Sequence, residues 1–230
     1  MIQIFRKFRI FLFQVITVQV ILLMLTMGNL KGKSAPNEFE AIRSDTNFKE
    51  SEIEDWYRWY KSVISDCPGK RMDIVEFKKI YSRMYPSGVE DKYVEHVFRS
   101  FDTNGDEVID FREFMVSLYV TARGTLTQKL EWAFKVYDIN GDGFITRNEM
   151  LEIFLAMHKM IGDPKLCSEE ASKSIEALVD DIIRRLDKDL DGKLSLDEFV
   201  EGSKNNPTVI SKLSQINRKS SLQYSSPIIL

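Results

Sequence analysis

Residues 138–149 read Asp138-Ile-Asn140-Gly-Asp142-Gly143-Phe144-Ile-Thr146-Arg-Asn-Glu149, and they are the most informative part of the chain. Oxygen-bearing groups recur at positions 1, 3, 5, 7, 9 and 12, which is the spacing of a loop that wraps one Ca²⁺ ion. Position 6 is a glycine, as the sharp turn of such a loop requires a positive φ. The predicted ligands are Asp138, Asn140, Asp142, the carbonyl of Phe144, Thr146 acting through water, and Glu149.

Residues 187–198 repeat this pattern, with aspartates at positions 1, 3 and 5 and Gly192 at position 6. Apolar residues at three- and four-residue spacing flank both loops, and this spacing predicts a helix on either side. A helix–loop–helix unit of this kind is an EF-hand, so we expect two EF-hands that bind calcium. The predicted ligands of the second of them are Asp187, Asp189, Asp191, the carbonyl of Lys193, Ser195 and Glu198.

Residues 102–113, the second of the loops in chain order, form a calcium loop with one departure from the pattern. Glu107 occupies position 6, where glycine is the usual residue. Holding a residue that has a side chain at positive φ costs about 1 kcal/mol or somewhat more, so we expect calcium to bind here with reduced affinity. The predicted ligands are Asp102, Asn104, Asp106, the carbonyl of Val108, Asp110 and Glu113.

The first loop in chain order, residues 65–76, lacks the ligand chemistry of the second (102–113), third (138–149) and fourth (187–198). Ser65, Cys67 and Gly69 stand at positions 1, 3 and 5, and Lys70 brings a positive charge to position 6. Because three oxygen ligands are missing, we expect this loop to bind no ion.

The four loops predict an all-α fold of four EF-hands in two paired lobes, with short antiparallel β-bridges between paired loops. The bridges are expected at position 8, between Met72 and Ile109 in one lobe and between Ile145 and Leu194 in the other. Beyond residues 1–27, the expected organisation is an N-terminal arm (28–49), an N-terminal lobe (50–122), a C-terminal lobe (127–204), a C-terminal helix (207–217) and a disordered tail (218–230).

Composition excludes several classes of function. The net charge is -3 and the pI is about 5.6, so the chain has no overall electrostatic attraction to the phosphates of nucleic acid. Cys67 and Cys167 are too few for a disulfide framework and lack the spacing of a zinc site, which indicates a reducing compartment. The sequence has no phosphate loop, no HExxH motif and no nucleophile near a base, so we expect no enzyme activity.

The N-terminal residues 1–27 admit three interpretations. Arg6, Lys7 and Arg9 precede an apolar run, residues 10–27, which is just long enough to span a bilayer. This segment is either an extension that is absent from the functional protein, or a membrane anchor that leaves the loops in the cytosol, or a segment that directs the chain into a secretory route. Loops in a calcium-rich lumen would stay saturated and carry no signal, which favours the first interpretation and leaves the anchor as its main alternative.

Several motifs resemble the neuronal calcium sensor family, over residues 27 to about 213. Because three loops carry ligands, the resemblance favours the hippocalcin, neurocalcin and visinin-like branch over recoverin. Glu107, Lys70, the tail and residues 1–26 depart from the family pattern. The motifs that carry the resemblance include Cys67-Pro68, Trp59-Tyr60, Asp102-Thr-Asn104-Gly-Asp106, Val120-Thr-Ala-Arg-Gly124 and Glu201-Gly202-Ser-Lys204.

The resemblance implies lipidation and a cytoplasmic protein that attaches to the membrane surface. Family members begin Met-Gly and are myristoylated on that glycine, and Met27-Gly28 lies at nearly the family distance from Trp59. Gly32 stands where the acylation motif prefers Ser or Thr, which weakens the match. One myristoyl chain binds membranes only marginally, so we expect the basic residues of the arm to add an attraction to anionic lipid.

The resemblance also implies how the protein works. Calcium binding in a sensor EF-hand rotates the paired helices apart and exposes apolar side chains, which capture an amphipathic helix of a target protein. Gly124, between the lobes, is the expected swivel. The two alternatives are a regulator of the guanylate-cyclase-activating type and a passive calcium buffer that barely opens. Residues matching the family's target groove, which are equally candidates for a core in the absence of calcium, are Trp59, Val63, Phe77, Ile80, Tyr81, Met84 and Tyr85.

Overall fold

The computed structural model describes residues 36–65, 71–84, 91–161 and 169–215. These ranges contain two short strands, β1 (Phe144–Thr146) and β2 (Lys193–Ser195). They also contain ten helices: α1 (Pro36–Asp45), α2 (Glu50–Ser65), α3 (Ile74–Met84), α4 (Asp91–Phe101), α5 (Phe111–Arg123), α6 (Leu126–Tyr137), α7 (Arg147–Ile161), α8 (Glu169–Leu186), α9 (Leu196–Asn205) and α10 (Pro207–Gln215).

Helices α2 to α9 form four consecutive helix–loop–helix units in two pairs. In the C-terminal pair, β1 and β2 are antiparallel and Ile145 lies opposite Leu194. In the N-terminal pair, Met72 and Ile109 form an isolated antiparallel bridge, with the Ile109 N–H donating to the Met72 carbonyl at 2.9 Å. The predicted fold class and both predicted bridges are therefore confirmed.

The helices are amphipathic and several begin at a capping residue that the preceding loop supplies. On α4, a stripe of Tyr93, Val94, Val97, Phe98 and Phe101 is buried, which is the periodicity of a helix with one apolar face. Reciprocal capping boxes begin α5, α6 and α9. In α5 and α9 the cap is position 9 of a calcium loop, so the loop and the helix start share one residue.

An aromatic cluster forms the core of the N-terminal lobe. Trp59 of α2 stacks on Phe114 of α5 with ring centroids 5.3 Å apart, and Trp56 contacts both rings. The buried Tyr60 hydroxyl donates to the Ile109 carbonyl at 2.7 Å. The core is therefore tied directly to the bridge between the two loops.

The predicted N-terminal arm contains a helix that packs on this lobe. Phe39 and Ile42 of α1 are buried, and the Phe39 ring lies 5.4 Å from that of Tyr57. An ion pair of 2.6 Å joins Asp45 to Arg112 of α5. Helix α1 therefore packs against the N-terminal lobe, and the predicted boundary of the lobe at residue 50 stays a prediction.

The C-terminal lobe is closed by α10. Val209, Ile210 and Leu213 are buried, and α10 packs on α8 and α9. The predicted C-terminal helix is confirmed as far as Gln215. The last two residues of the predicted helix (216–217) lie outside the described residues, as do the tail and residues 1–35. Within the described residues, no helix is long and apolar enough to cross a membrane.

Candidate metal centre

In the third loop, backbone amides hold the predicted ligand side chains in place. The Asp138 carboxylate accepts the N–H groups of Gly141 at 2.9 Å and Gly143 at 3.0 Å. The Asn140 side-chain oxygen accepts the Asp142 N–H at 2.8 Å. Asp138 Oδ1 also accepts the Asp142 N–H at 3.2 Å, whereas Asp138 Oδ2 and the Asn140 oxygen each accept one of these bonds and keep a second lone pair.

The second loop is held in the same way. Asp102 accepts from the N–H of Gly105 at 2.8 Å and of Glu107 at 3.0 Å, and Asn104 accepts from that of Asp106 at 2.8 Å. Hydrogen bonds at matching positions in two loops show that the same sequence pattern produces the same local geometry.

The position-12 glutamate closes each of these loops. Glu113, Glu149 and Glu198 each accept backbone N–H groups from the start of their own loop. They also accept the N–H of position 9, at 3.0, 2.8 and 2.9 Å respectively. Backbone N–H donation from Ser195 is the largest cause that lowers the pKa of Glu198, to about 2, so this ligand is ionised at neutral pH.

The fourth loop (residues 187–198) has an aspartate at each of positions 1, 3 and 5. Carboxylate oxygens of Asp187, Asp189 and Asp191 lie within 4.8 Å of one another. Like charges at this separation repel unless a cation lies among them. Three converging hard oxygen donors with an ionised glutamate beside them therefore fit Ca²⁺, whereas they offer no nitrogen or sulfur for zinc. In the second and third loops an asparagine replaces one of the three carboxylates.

The backbone of the loops confirms one expectation and adds another feature. Glu107 adopts φ 64°, the strained conformation predicted for position 6. Leu190, at position 4 of the fourth loop, also has a positive φ of 62° and is 82% exposed. This turn at Leu190 was not expected, although Gly105 and Gly141 at the same position of the other loops were a signal that position 4 also has a positive φ.

The first loop is described only at its edges. Residues 66–70, with Cys67, Gly69 and Lys70, lie outside the described residues. Asp73, at position 9, accepts the N–H groups of Val75 and Glu76 at 3.0 Å each, so it caps α3. The expectation that this loop binds no ion stays a prediction.

The residues of the predicted target groove lie in the core where they are described. Trp59, Phe77, Ile80 and Tyr81 are between 1% and 6% exposed, and Val63 is half-buried. Met84 ends α3, whereas Tyr85 and the lipidation candidate Gly28 lie outside the described residues. These side chains are buried in the structure, and their role as a target groove stays a prediction. Gly124 has φ -57°, with its N–H donating to Tyr119 and Val120.

These loops, helices and bridges define a calcium-binding protein of the EF-hand class. Models described as an EF-hand domain pair match residues 69–121 and residues 127–204. Human recoverin is 38% identical over 187 residues, covering 80% of this chain and 92% of recoverin. Neuronal calcium sensor 1 of Lymnaea stagnalis is 40% identical, covering 81% and 96%. Guanylyl cyclase-activating protein 2 of Lithobates pipiens is 36% identical, covering 75% and 88%.

The chain belongs to the neuronal calcium sensor family. It is an EF-hand calcium sensor, not an enzyme. The preference for the hippocalcin-like branch within that family stays a prediction, as do the number of bound ions and the loops that bind them.

Proposed function

We propose that calcium binding opens the N-terminal lobe, exposes an apolar groove and thereby regulates a membrane-associated target protein in neuronal signalling. The observation that carries the proposal is the burial of Trp59, Phe77, Ile80 and Tyr81 on the two helices that flank the first loop. Because these side chains are buried, a rotation of the two helices would expose a large apolar surface. The partner that fits such a groove is an amphipathic helix.

The calcium sites of this proposal are the second, third and fourth loops. The third and fourth have glycine at position 6 and complete ligand sets, so they fill first. The second fills at higher calcium because Glu107 is strained. The first loop serves as the structural partner of the second through the Met72–Ile109 bridge.

The proposed membrane attachment is a myristoyl group on Gly28, supported by the basic arm. This part of the proposal rests on sequence and family alone. The resulting protein is cytoplasmic and peripheral, whereas an anchor formed by residues 10–27 is the alternative. Mass spectrometry of the native N-terminus separates the two, since an acetylated Met1 excludes processing to Gly28.

Binding of the full chain to a phenyl resin and to a fluorescent amphipathic helix, with calcium and with chelator, tests the proposal. We expect both to require calcium, and we expect Glu149→Gln and Glu198→Gln to shift the requirement to higher calcium. Lys135→Met, an exposed change on α6, is the matched control. Calcium binding without any gain in resin or helix binding would instead identify a passive buffer.

A second candidate target is a guanylyl cyclase. The observation that favours it is the 36% identity to a guanylyl cyclase-activating protein over 182 residues. Cyclase activity in membranes, measured with the added chain at low and high calcium, tests this target. Activity that does not change at either calcium level excludes it.

A further inference from the structure

A side-chain contact joins the third and fourth loops beside their two short strands. The ammonium nitrogen of Lys193 lies over the ring of Phe144, 3.5 Å from the ring centroid. Phe144 is the first residue of β1, and Lys193 is the first residue of β2. A cation within about 6 Å of the centroid is attracted to the face of an aromatic ring. The two loops are therefore joined by these side chains as well as by the pairing of their strands.

The register of the two strands brings these side chains together. Phe144 lies opposite Ser195, and Thr146 lies opposite Lys193, so Lys193 is the diagonal neighbour of Phe144. Side chains alternate between the two faces of a strand pair, and diagonal neighbours on one face lie within reach of long and aromatic side chains. The middle residue of each strand is buried, whereas Phe144 and Lys193 are half-buried. The contact therefore requires both loops in this pairing.

Both partners stand at position 7 of their loops, where the backbone carbonyl is a predicted calcium ligand. The carbonyl of Phe144 is predicted to bind the ion of the third loop, and that of Lys193 the ion of the fourth. An ion that holds the Lys193 carbonyl also fixes the backbone from which the side chain reaches the ring. The contact thus links one ligand residue of each site.

The lysine is an unfavourable residue for the fourth loop taken alone. Its ammonium opposes the attraction that three aspartates and Glu198 exert on a divalent cation. Val108, at position 7 of the second loop, shows that a loop with the calcium pattern carries no charge there of necessity. Among the described residues, the contact that the structure shows for the Lys193 ammonium is the one with Phe144. This contact is therefore the interaction that can offset the electrostatic cost.

We propose that Lys193 is a positioning residue, through which an ion in either of these two loops strengthens the binding of an ion in the other. An ion in the fourth loop holds Lys193 over the ring and so stabilises position 7 of the third loop, and the reverse effect is equal by linkage. The inference rests on the proposed calcium sites of these two loops. The strength of a partly exposed contact of this kind corresponds to about a two- to fivefold effect on affinity.

NMR of the full chain at a series of free calcium concentrations, set by a chelator buffer, measures this coupling. The amide resonances of Gly143 and Gly192 report the filling of the third and the fourth loop. A chain carrying Glu198→Gln gives the affinity of the third loop when the fourth is weakened. Fitting both sets of curves to two linked sites gives the coupling factor, by which one ion strengthens the binding of the other. A change of charge acts on both affinities of the third loop and cancels in this ratio.

Matched variants isolate the contact. Lys193→Met should lower the coupling factor about two- to fivefold, whereas Lys193→Arg, whose guanidinium also binds ring faces, should keep most of it. Lys188→Met removes the same charge from an exposed residue of the same loop but leaves the contact in place, so it should not change the factor. Phe144→Leu should lower the factor as Lys193→Met does, and the two changes together should lower it no further. Circular dichroism checks that each variant folds.

Two results would overturn this proposal alone. The first is an unchanged coupling factor in Lys193→Met, and the second is an equal loss in Lys193→Met and Lys188→Met, which would assign the effect to charge. If the amides of Gly143 and Gly192 do not respond at saturating calcium, the proposed calcium sites fail and this inference fails with them. Amides that respond to calcium with either of the first two results leave the proposed function standing.

Discussion

At the scale of single residues, backbone strain at one position sets the second calcium loop apart from the other two. Glu107 adopts φ 64° where Gly143 and Gly192 adopt 85° and 86°. Glycine populates this region freely, but a residue with a Cβ does not. The strain lowers calcium affinity to the extent that ion binding holds position 6 in this conformation more tightly than the empty loop does.

Replacing Glu107 with glycine should strengthen calcium binding at the second loop. Strain that raises the free energy of the calcium-bound loop by about 1 kcal/mol weakens binding roughly fivefold, and glycine removes this strain. Isothermal titration calorimetry measures the change. Glu107→Gln is the control, because it removes the charge but keeps the Cβ, and it should show no such gain. Unchanged affinity in Glu107→Gly would show that the loop already accommodates the residue.

At the scale of helices, the fourth EF-hand depends on the close approach of α8 and α9. A Cβ added at Gly202 of α9 would lie 2.7 Å from Cδ2 of the buried Leu186. The Leu186 side chain can give way only by displacing its neighbours in a filled core.

Gly202→Ala should therefore destabilise the C-terminal lobe by about 1 to 3 kcal/mol. Urea denaturation in saturating calcium, followed by circular dichroism, measures this. Asn205→Ala changes an exposed residue of the same helix and should stay within about 0.5 kcal/mol of wild type. Equal stability of the two variants would mean that α8 and α9 separate easily.

The ion pair between Glu52 of α2 and Arg123 of α5 predicts a pH-dependent contribution to stability. The hydrogen bond from Arg123 lowers the pKa of Glu52, so the folded state binds fewer protons than the unfolded state. Its contribution is therefore present above the unfolded pKa and is lost as pH falls through the folded pKa. Because both side chains are about one-third or more exposed, the contribution is small.

Wild type and Glu52→Gln should consequently differ in unfolding free energy near neutral pH and converge in acid. Denaturant unfolding at a series of pH values measures this difference. Glu54→Gln, which removes an exposed carboxylate from the same helix, is the control for the change in net charge. A Glu52→Gln difference that persists unchanged in acid would show that it arises from packing rather than ionisation.

At the scale of the whole molecule, calcium is expected to stabilise the fold through its binding free energy. Ligand that binds only the folded state at about 100 times its Kd contributes about 2.7 kcal/mol per site. Chelator should therefore lower the melting temperature measured by circular dichroism, and Glu149→Gln should remove part of the calcium-dependent gain. Identical melting curves with calcium and chelator would contradict the assignment of the loops as calcium sites.

The sequence predicted the fold class and the loop geometry because both depend on short, repeated patterns. Ligand spacing located the loops, the apolar period located the helices, and position 8 located the bridges at Met72–Ile109 and Ile145–Leu194. The α1 helix was missed because tertiary contacts stabilise it, with Phe39 and Ile42 buried against the lobe. Leu190 was missed because position 4 has no ligand and tolerates a strained residue.

The two lobes join their loops differently, and this difference shapes the response to a calcium pulse. Three residue pairs link the third and fourth loops, but a single bridge links the second loop to the first, which is predicted to bind no ion. Ordering one loop of the C-terminal pair lowers the entropic cost of ordering the other, which steepens their joint titration. We expect the second loop to titrate alone and gradually, so that the chain would combine a steep calcium response with a gradual one.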